Sequence, residues 1–353
     1  MEHFFYYLEF FKKTMNYFTK YLPIYIFIIT FNFYGQINKE IDSTSLVSFA
    51  DKIIIKANLN TQTDTYVLKT NNSVDLKIEP NNSYKLFLSL DYQFIGVSLG
   101  FAPDFFTDNQ DDDLKGKSSF SNLQFRMFLG NWVQGLYYNK IKGYYIENTD
   151  DFVEDWVKGQ DPYLQIPNLK NVTWGMSTAY VFNPKFSYRN LVYQTEWQKK
   201  SAGSFVPILY YNYNNTEFDF LGTQAKEKSF NIRLATNYYY TLVIKENWFI
   251  SPYASPSLGV RFVNNENNTN NVKSTENKTL FTRQLEGGLQ LGYSSKRVIF
   301  GGSFNFSANW YNEDKNSITE NDKIYGVVYF GYRFDTPKFI EDSYNWLTGA
   351  FSE

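Results

Sequence analysis

The chain has 353 residues, 43% hydrophobic and 20% aromatic, with 34 basic against 36 acidic side chains and a formal net charge of −2. Near-neutral charge offers no field for nucleic acid, and a mean hydropathy of −0.42 leaves no apolar run for a helical span after the first forty residues. With no cysteine and one histidine, His3, disulfides, thiolate metal sites and lipoprotein acylation are excluded, as are Ser-His, Cys-His and His-metal mechanisms once the N-terminus is removed.

From Met15 the sequence carries Lys20, the apolar stretch 22–31 and the small-residue site Tyr34-Gly35-Gln36. A basic start, a short apolar segment and a cleavage site predict a secretory signal peptide over 1–35, with Met15 as its start and 1–14 as an upstream extension. Residues 36–72 follow as a periplasmic or plug segment, in which 52–59 and 64–70 form a hairpin-like pair.

Period-two alternation then dominates, the signature of strands with two different faces. Val74, Leu76 and Ile78 open it. In 84–92, Leu86, Leu88 and Leu90 oppose Lys85, Ser89 and Asp91; in 229–241, Ile232 and Leu234 oppose Asn231 and Arg233. The pattern continues through 299–311 and 324–334. Apolar faces end in Tyr or Trp, as at Tyr84, Tyr92, Tyr238, Tyr293 and Trp310, and amphipathic rings suit the headgroup level of a bilayer. Tight connections near 91–93, 130–131, 183–185, 245–247 and 294–296 alternate with long ones near 103–118, 147–170, 212–228, 263–278 and 312–322. Short periplasmic turns and long outer loops alternate in this way in outer-membrane barrels.

The expected fold is all-β: a transmembrane antiparallel β-barrel of about 12 strands (10–14) over 73–334, with a short periplasmic tail at 335–353. The strands are 74–79, 84–91, 94–102, 119–129, 132–146, 171–182, one within 186–211, 229–242, 248–262, 279–293, 298–311 and 323–334. The stretch 186–211 exceeds one membrane strand of ~9–11 residues and reads as a bulged strand, two strands or an inward excursion. In the tail, Phe339, Ser343, Tyr344, Leu347 and Phe351 fall at helical spacing. A helix there would rest on the barrel rim or the inner leaflet.

No catalytic or cofactor-binding motif emerges, and no cofactor is expected. Asp108, Asp111, Asp112 and Asp113 form the densest acidic loop, a Ca²⁺ candidate only in its oxygen count; a solvated loop explains it as well. A second acidic loop, 147–161, surrounds Trp156, and an Asn-rich stretch at 264–278 reads as a disordered loop. The polar strand faces point Arg126, Arg233, Arg261 and Glu286 into the lumen, and Arg189, Gln194, Glu196, Gln198 and Lys199 form the most unusual polar run. That run reads as a lumenal hydrogen-bond network or as a recognition stripe.

The pieces GVSLGFAP at 96–103, YYNKIKGYYIEN at 137–148, FSYRNLVYQTEWQKKSAGSF at 186–205 and GYRFDTPK at 331–338 resemble an uncharacterised family of outer-membrane barrels catalogued as domain of unknown function 4421. The resemblance implies fold and location, and no activity comes with it. The expected location is the cell outer membrane. Expected partners are outer-membrane lipid, the barrel-assembly machinery and small solutes or surface glycans. The leading functional expectation is a narrow pore or transporter; the alternatives are a non-conducting surface-binding or structural barrel and, last, a carboxylate-dependent membrane enzyme.

Overall fold

The computed structural model describes residues 44–68, 75–220, 223–269, 272–311, 318–320 and 322–350; the expected signal peptide lies outside them. In chain order the strands are β1 (Leu46–Ser48), β2 (Lys52–Asn60), β3 (Tyr66–Leu68), β4 (Leu76–Glu79), β5 (Lys85–Tyr92) and β6 (Ile95–Phe101). A short helix α1 (Asp112–Lys115) precedes β7 (Ser119–Leu129), β8 (Trp132–Ile146) and β9 (Gln165–Tyr180). Then come helix α2 (Tyr188–Val192), β10 (Glu196–Gln198), β11 (Ala202–Phe220), β12 (Thr223–Ile244), β13 (Trp248–Thr269) and β14 (Val272–Ser294). The chain finishes with β15 (Val298–Tyr311), β16 (Ile318–Glu320), β17 (Lys323–Asp335) and helix α3 (Lys338–Ala350).

Twelve of these strands close into an antiparallel barrel: β2, β5 to β9, β11 to β15 and β17, each hydrogen-bonded to the next. β17 returns to β2, with Phe330 opposite Ala57, so the wall has no free edge. Alternation sorts the side chains. Leu88, Leu90, Leu99, Leu234, Leu258 and Leu291 point outward and stay exposed, whereas Ser89, Asp91, Ser98, Ser257 and Gln290 point inward and are buried. An exposed apolar belt around a polar interior is the inverse of a soluble protein and suits lipid. Aromatic residues edge the belt at both ends. Trp132 packs on Tyr180 at 4.8 Å near the turn end, and Tyr138 packs on Trp174 at 4.5 Å toward the loop end.

The expected count of twelve holds, but the first wall strand is β2 and not 74–79. Ile53, Ile55, Ala57 and Leu59 alternate with Ile54, Lys56 and Asn58, and β2 pairs on both sides, with β17 and β5. The barrel wall therefore begins at Lys52, inside the stretch 36–72 expected as a periplasmic or plug segment. Of the 74–79 stretch, Val74 lies outside the described residues and Leu76–Glu79 form β4, which joins the outer end of β8 through Ile78 and Ile146 and carries β3 and β16 beside it.

The expected loops 212–228 and 263–278 are strand in their described residues, 212–220, 223–228, 263–269 and 272–278. β11 to β14 run 19, 22, 22 and 23 residues, about twice the length a membrane requires. Polar cross-strand pairs carry the hairpins beyond the belt: Lys228 to Glu266 at 2.7 Å and Asn264 to Asn277 at 2.8 Å. Composition reads the Asn-rich stretch 264–278 as a disordered loop because it does not see the strand partners opposite, such as Lys228 and Asn277 across from Asn264.

The region 186–211 resolves into an inward excursion, α2 with β10, followed by a single wall strand, β11. The 183–185 turn accordingly opens a long connection instead of closing a tight one. Helix α3 forms in the tail, and its Tyr344 ring meets Tyr92 at 5.6 Å and Phe94 at 6.1 Å beside the β5–β6 turn. Phe351 lies outside the described residues.

Candidate functional site

The lumen has two parts, a filled lower half and an open upper one. The filling starts at Asn183, whose side chain accepts from Lys185 N at 3.0 Å and donates to Gly203 O at 2.8 Å, pinning the chain as Pro184 turns it inward. Ser187 caps α2 by accepting from Asn190 N at 2.8 Å. Gln194, at φ 55°, ends the helical turn and reverses the chain into β10. β10 then pairs with β1 in a two-stranded ribbon, Leu46 opposite Gln198. Trp197 donates its indole N–H to Glu246 O of the β12–β13 turn at 2.9 Å. Apolar packing seats the excursion: Phe186, Tyr188 and Leu191 join Phe128, Val133, Ile208, Tyr239 and Phe249 of the inner wall.

Buried polar groups lock this plug to the wall. The Lys56 ammonium donates to Tyr193 O and, at 2.9 Å, to Gln194 Oε1. Arg333 donates to Gln194 O at 2.9 Å, to Ser294 Oγ at 3.1 Å and to Ser295 O, and its guanidinium lies 4.0 Å from the Phe49 ring centroid. Asp91 holds Arg126 at 2.9 Å and lies 3.8 Å from Lys56. Lys56, Asp91, Arg126 and Arg333 are all buried, and burial of a charge demands partners. Asp91 supplies the counter-charge for Arg126 and Lys56, whereas Arg333 is held by carbonyl and hydroxyl oxygens and the Phe49 ring. Gly96 makes room for the pair, since a Cβ there would stand 2.1 Å from Asp91 Oδ1 and 2.8 Å from Arg126 Nε.

Above the plug lies an outward-facing cup, a cavity of 400 Å³. Its wall presents amides from Asn139, Asn171, Asn212, Asn214, Asn231 and Asn309, and the rings of Tyr66, Tyr137, Tyr144 and Tyr325. Its charges are paired: Arg233 with Glu286 at 3.8 Å, Arg261 with Glu227, and Asp64 with both Lys85 and, at 3.6 Å, Lys323. A second cavity of 260 Å³, lined by Arg126, Tyr137, Tyr188, Tyr193 and Tyr210 among others, lies against the plug.

The sequence-derived lumen residues thus divide. Arg126, Arg189, Gln194, Glu196 and Gln198 belong to the plug and its contacts. Glu196 accepts from Ser187 Oγ at 2.6 Å and faces Arg189 at 3.7 Å, and Gln198 accepts from Ser187 N at 2.6 Å. Lys199 sits at the lower rim, 3.7 Å from Glu246 and 4.4 Å from the Trp197 ring. Arg233, Arg261 and Glu286 line the cup. Gln194, Glu196 and Gln198 do not form one stripe along a wall strand, because the chain leaves the wall there.

Asp108, Asp111, Asp112 and Asp113 do not converge. Asp111 pairs with Lys115 at 2.9 Å, Asp112 accepts from Asn81 at 3.3 Å, and no group of three or more acidic or His/Cys side chains fit for a metal occurs among the described residues. Lys56, Asp91 and Arg333 escaped the sequence reading of the site. Lys56 fell in the stretch expected as a periplasmic or plug segment, Asp91 counted only as the polar side of a strand, and Arg333 lay in the alternating stretch 324–334 with no role of its own.

A family model described as a domain of unknown function, 4421, matches residues 40–334. Among solved structures, the chain is similar to the beta domain of the Bordetella autotransporter BrkA, at 10% identity and TM-score 0.37, covering 81% of this chain and 100% of that one. It is similar to LpxR from Salmonella typhimurium at 12% identity and TM-score 0.35, covering 79% and 99%, and to OmpT of Vibrio cholerae at 7% and 0.30, covering 80% and 98%. No curated protein matches. Likeness at these levels carries nothing about activity.

Proposed function

From the premise that the chain belongs to the family catalogued as domain of unknown function 4421, we propose that it serves in the outer membrane as a closed barrel. Its outward-facing cup binds small polar solutes or the sugars of surface glycans. The observation that carries this reading is the plug. Lys56 and Arg333 reach it from adjacent wall strands and hold Gln194, and the packed rings of Phe186 and Tyr188 occupy the space a permeating solute would need.

The cup supplies the complementary half. Amide side chains offer donors and acceptors together, Tyr rings offer apolar faces, and paired charges leave little net field. That chemistry suits an uncharged polar ligand better than an ion. No catalysis is assigned to it.

The test is conductance of the detergent-folded protein in planar bilayers, joined to calorimetry with oligosaccharides. The closed-barrel reading expects electrical silence and saturable binding. Discrete steps in the wild-type protein would instead favour a pore whose 186–200 segment moves aside.

A further inference from the structure

The outer wall carries an arrangement that neither plug nor cup uses. Strand register sets Tyr138, Trp174, Tyr213 and Phe230 in one outward row across β8, β9, β11 and β12. Two residues further from the turn end, the next outward row is Lys140, Val172, Asn215 and Lys228, and the one beyond it is Lys142, Lys170, Glu217 and Lys226. A belt of rings is therefore crowned directly by lysines.

Lys140, Lys170, Lys226 and Lys228 converge on an outward recess of 380 Å³ whose other walls include Tyr138, Val172, Trp174 and Tyr213. Carboxylates satisfy part of the charge. Glu217 bridges Lys170 at 3.3 Å and Lys226 at 2.9 Å, and Glu266 holds Lys228 at 2.7 Å. Lys140 and Lys142 make no ion pair among the described residues, so the shelf keeps an excess of positive charge.

Depth decides what this charge meets. Rings mark the level where acyl chains give way to headgroups, and ammonium groups just beyond them stand where lipid phosphates lie. Lysine stems run along apolar surface while their heads reach charge, and an ammonium–phosphate contact is a strong, charge-assisted hydrogen bond. A free anion would gain nothing from the apolar walls of the recess. A lipid uses both.

We propose that this face of β8, β9, β11 and β12 binds one phosphorylated lipid of the outward leaflet. Lys140 and Lys228 hold the phosphate, Lys170 and Lys226 flank it, and an acyl chain lies over Val172, Trp174 and Tyr213. The site rests on the membrane-spanning reading of the barrel and is independent of the cup.

Native mass spectrometry of the detergent-folded protein tests it, with a phosphorylated disaccharide lipid (lipid A) and the same lipid dephosphorylated as probes. The expected result is retention of the phosphorylated probe and at least a tenfold loss on dephosphorylation. The double variant Lys140→Gln/Lys228→Gln should lose tenfold or more, while Lys158→Gln/Lys296→Gln retains the lipid; matching strand signals by circular dichroism show that both variants fold. Equal retention of the two probes, or undiminished retention by Lys140→Gln/Lys228→Gln, overturns the proposal. Complete displacement by millimolar inorganic phosphate also overturns it, reducing the shelf to a simple anion site.

Discussion

Arg333 on the last strand donates a hydrogen bond to the backbone oxygen of Gln194, 139 residues earlier, at 2.9 Å. This contact ties the plug to the strand that closes the barrel against β2. The left-handed turn at Gln194 aims that carbonyl at the wall, and the same residue's side chain accepts from Lys56. One residue of the excursion is thus held from both sides of the closing seam.

Arg333→Met should loosen the plug. It strands the carbonyls of Gln194 and Ser295, and an orphaned buried acceptor costs roughly 1–3 kcal/mol. Urea unfolding in detergent should shift to lower concentration, and bilayer recordings should gain intermittent conductance steps absent from the wild type. A stable and silent variant would show that the apolar packing of Phe186 and Tyr188 seats the plug by itself.

Asp91→Asn should be the most damaging single change in the lower lumen. It leaves Arg126 and Lys56 without their anion, a loss on the order of 3–5 kcal/mol for a broken buried pair. Gly96→Ala should act in the same direction by crowding the same carboxylate. The two together should cost less than their sum, because both disrupt one interaction; strict additivity in chemical denaturation would separate them.

In the cup, Asn231 donates to Asn212 at 2.7 Å and Arg233 donates to Ser257 at 3.1 Å. Asn231→Ala and Arg233→Gln should leave the unfolding free energy within about 0.5 kcal/mol, as for changes away from a packed core. Each should weaken oligosaccharide binding by roughly tenfold, about 1.4 kcal/mol. Calorimetry reads the binding, and unchanged affinity in both variants would remove the cup from consideration.

At the lower rim, outside the apolar belt, Asp335 accepts from Lys52 at 3.0 Å and Arg297 at 2.8 Å. The hydrogen bonds from Arg297 and Lys52 hold its carboxyl below the usual carboxylate range. A depressed folded-state pKa gives stability that is present above the ordinary value and is lost as pH falls through the folded one. Carbon NMR of the Asp335 carboxyl should show ionisation persisting below pH 4, near the ordinary value. Arg297→Gln with Lys52→Gln should return the titration to the ordinary range.

The barrel was legible in the sequence because each wall strand writes its own two faces. Leu86, Leu88 and Leu90 against Lys85, Ser89 and Asp91 need no distant information to declare an inside and an outside. β2 carries the same signal in Ile53, Ile55 and Leu59, but its neighbour across the seam is β17, far along the chain. Parity counted from 74–79 therefore reached twelve with the wrong first strand. The long hairpins were misread for a related reason: Asn264 and Lys228 gain strand character only from the partners opposite them.

The sequence by itself determined the alternating wall, the even strand number and the polarity of the lumen, since side-chain period and turn chemistry are local properties. Only the tertiary structure decided that 186–198 leaves the wall to fill the lumen. It also decided that Lys56, Asp91, Arg126 and Arg333 share one buried network, and that lysines from three strands crown one aromatic row. Those relationships depend on strand register and barrel closure, which bring residues more than a hundred positions apart into contact, and no local pattern encodes such distances.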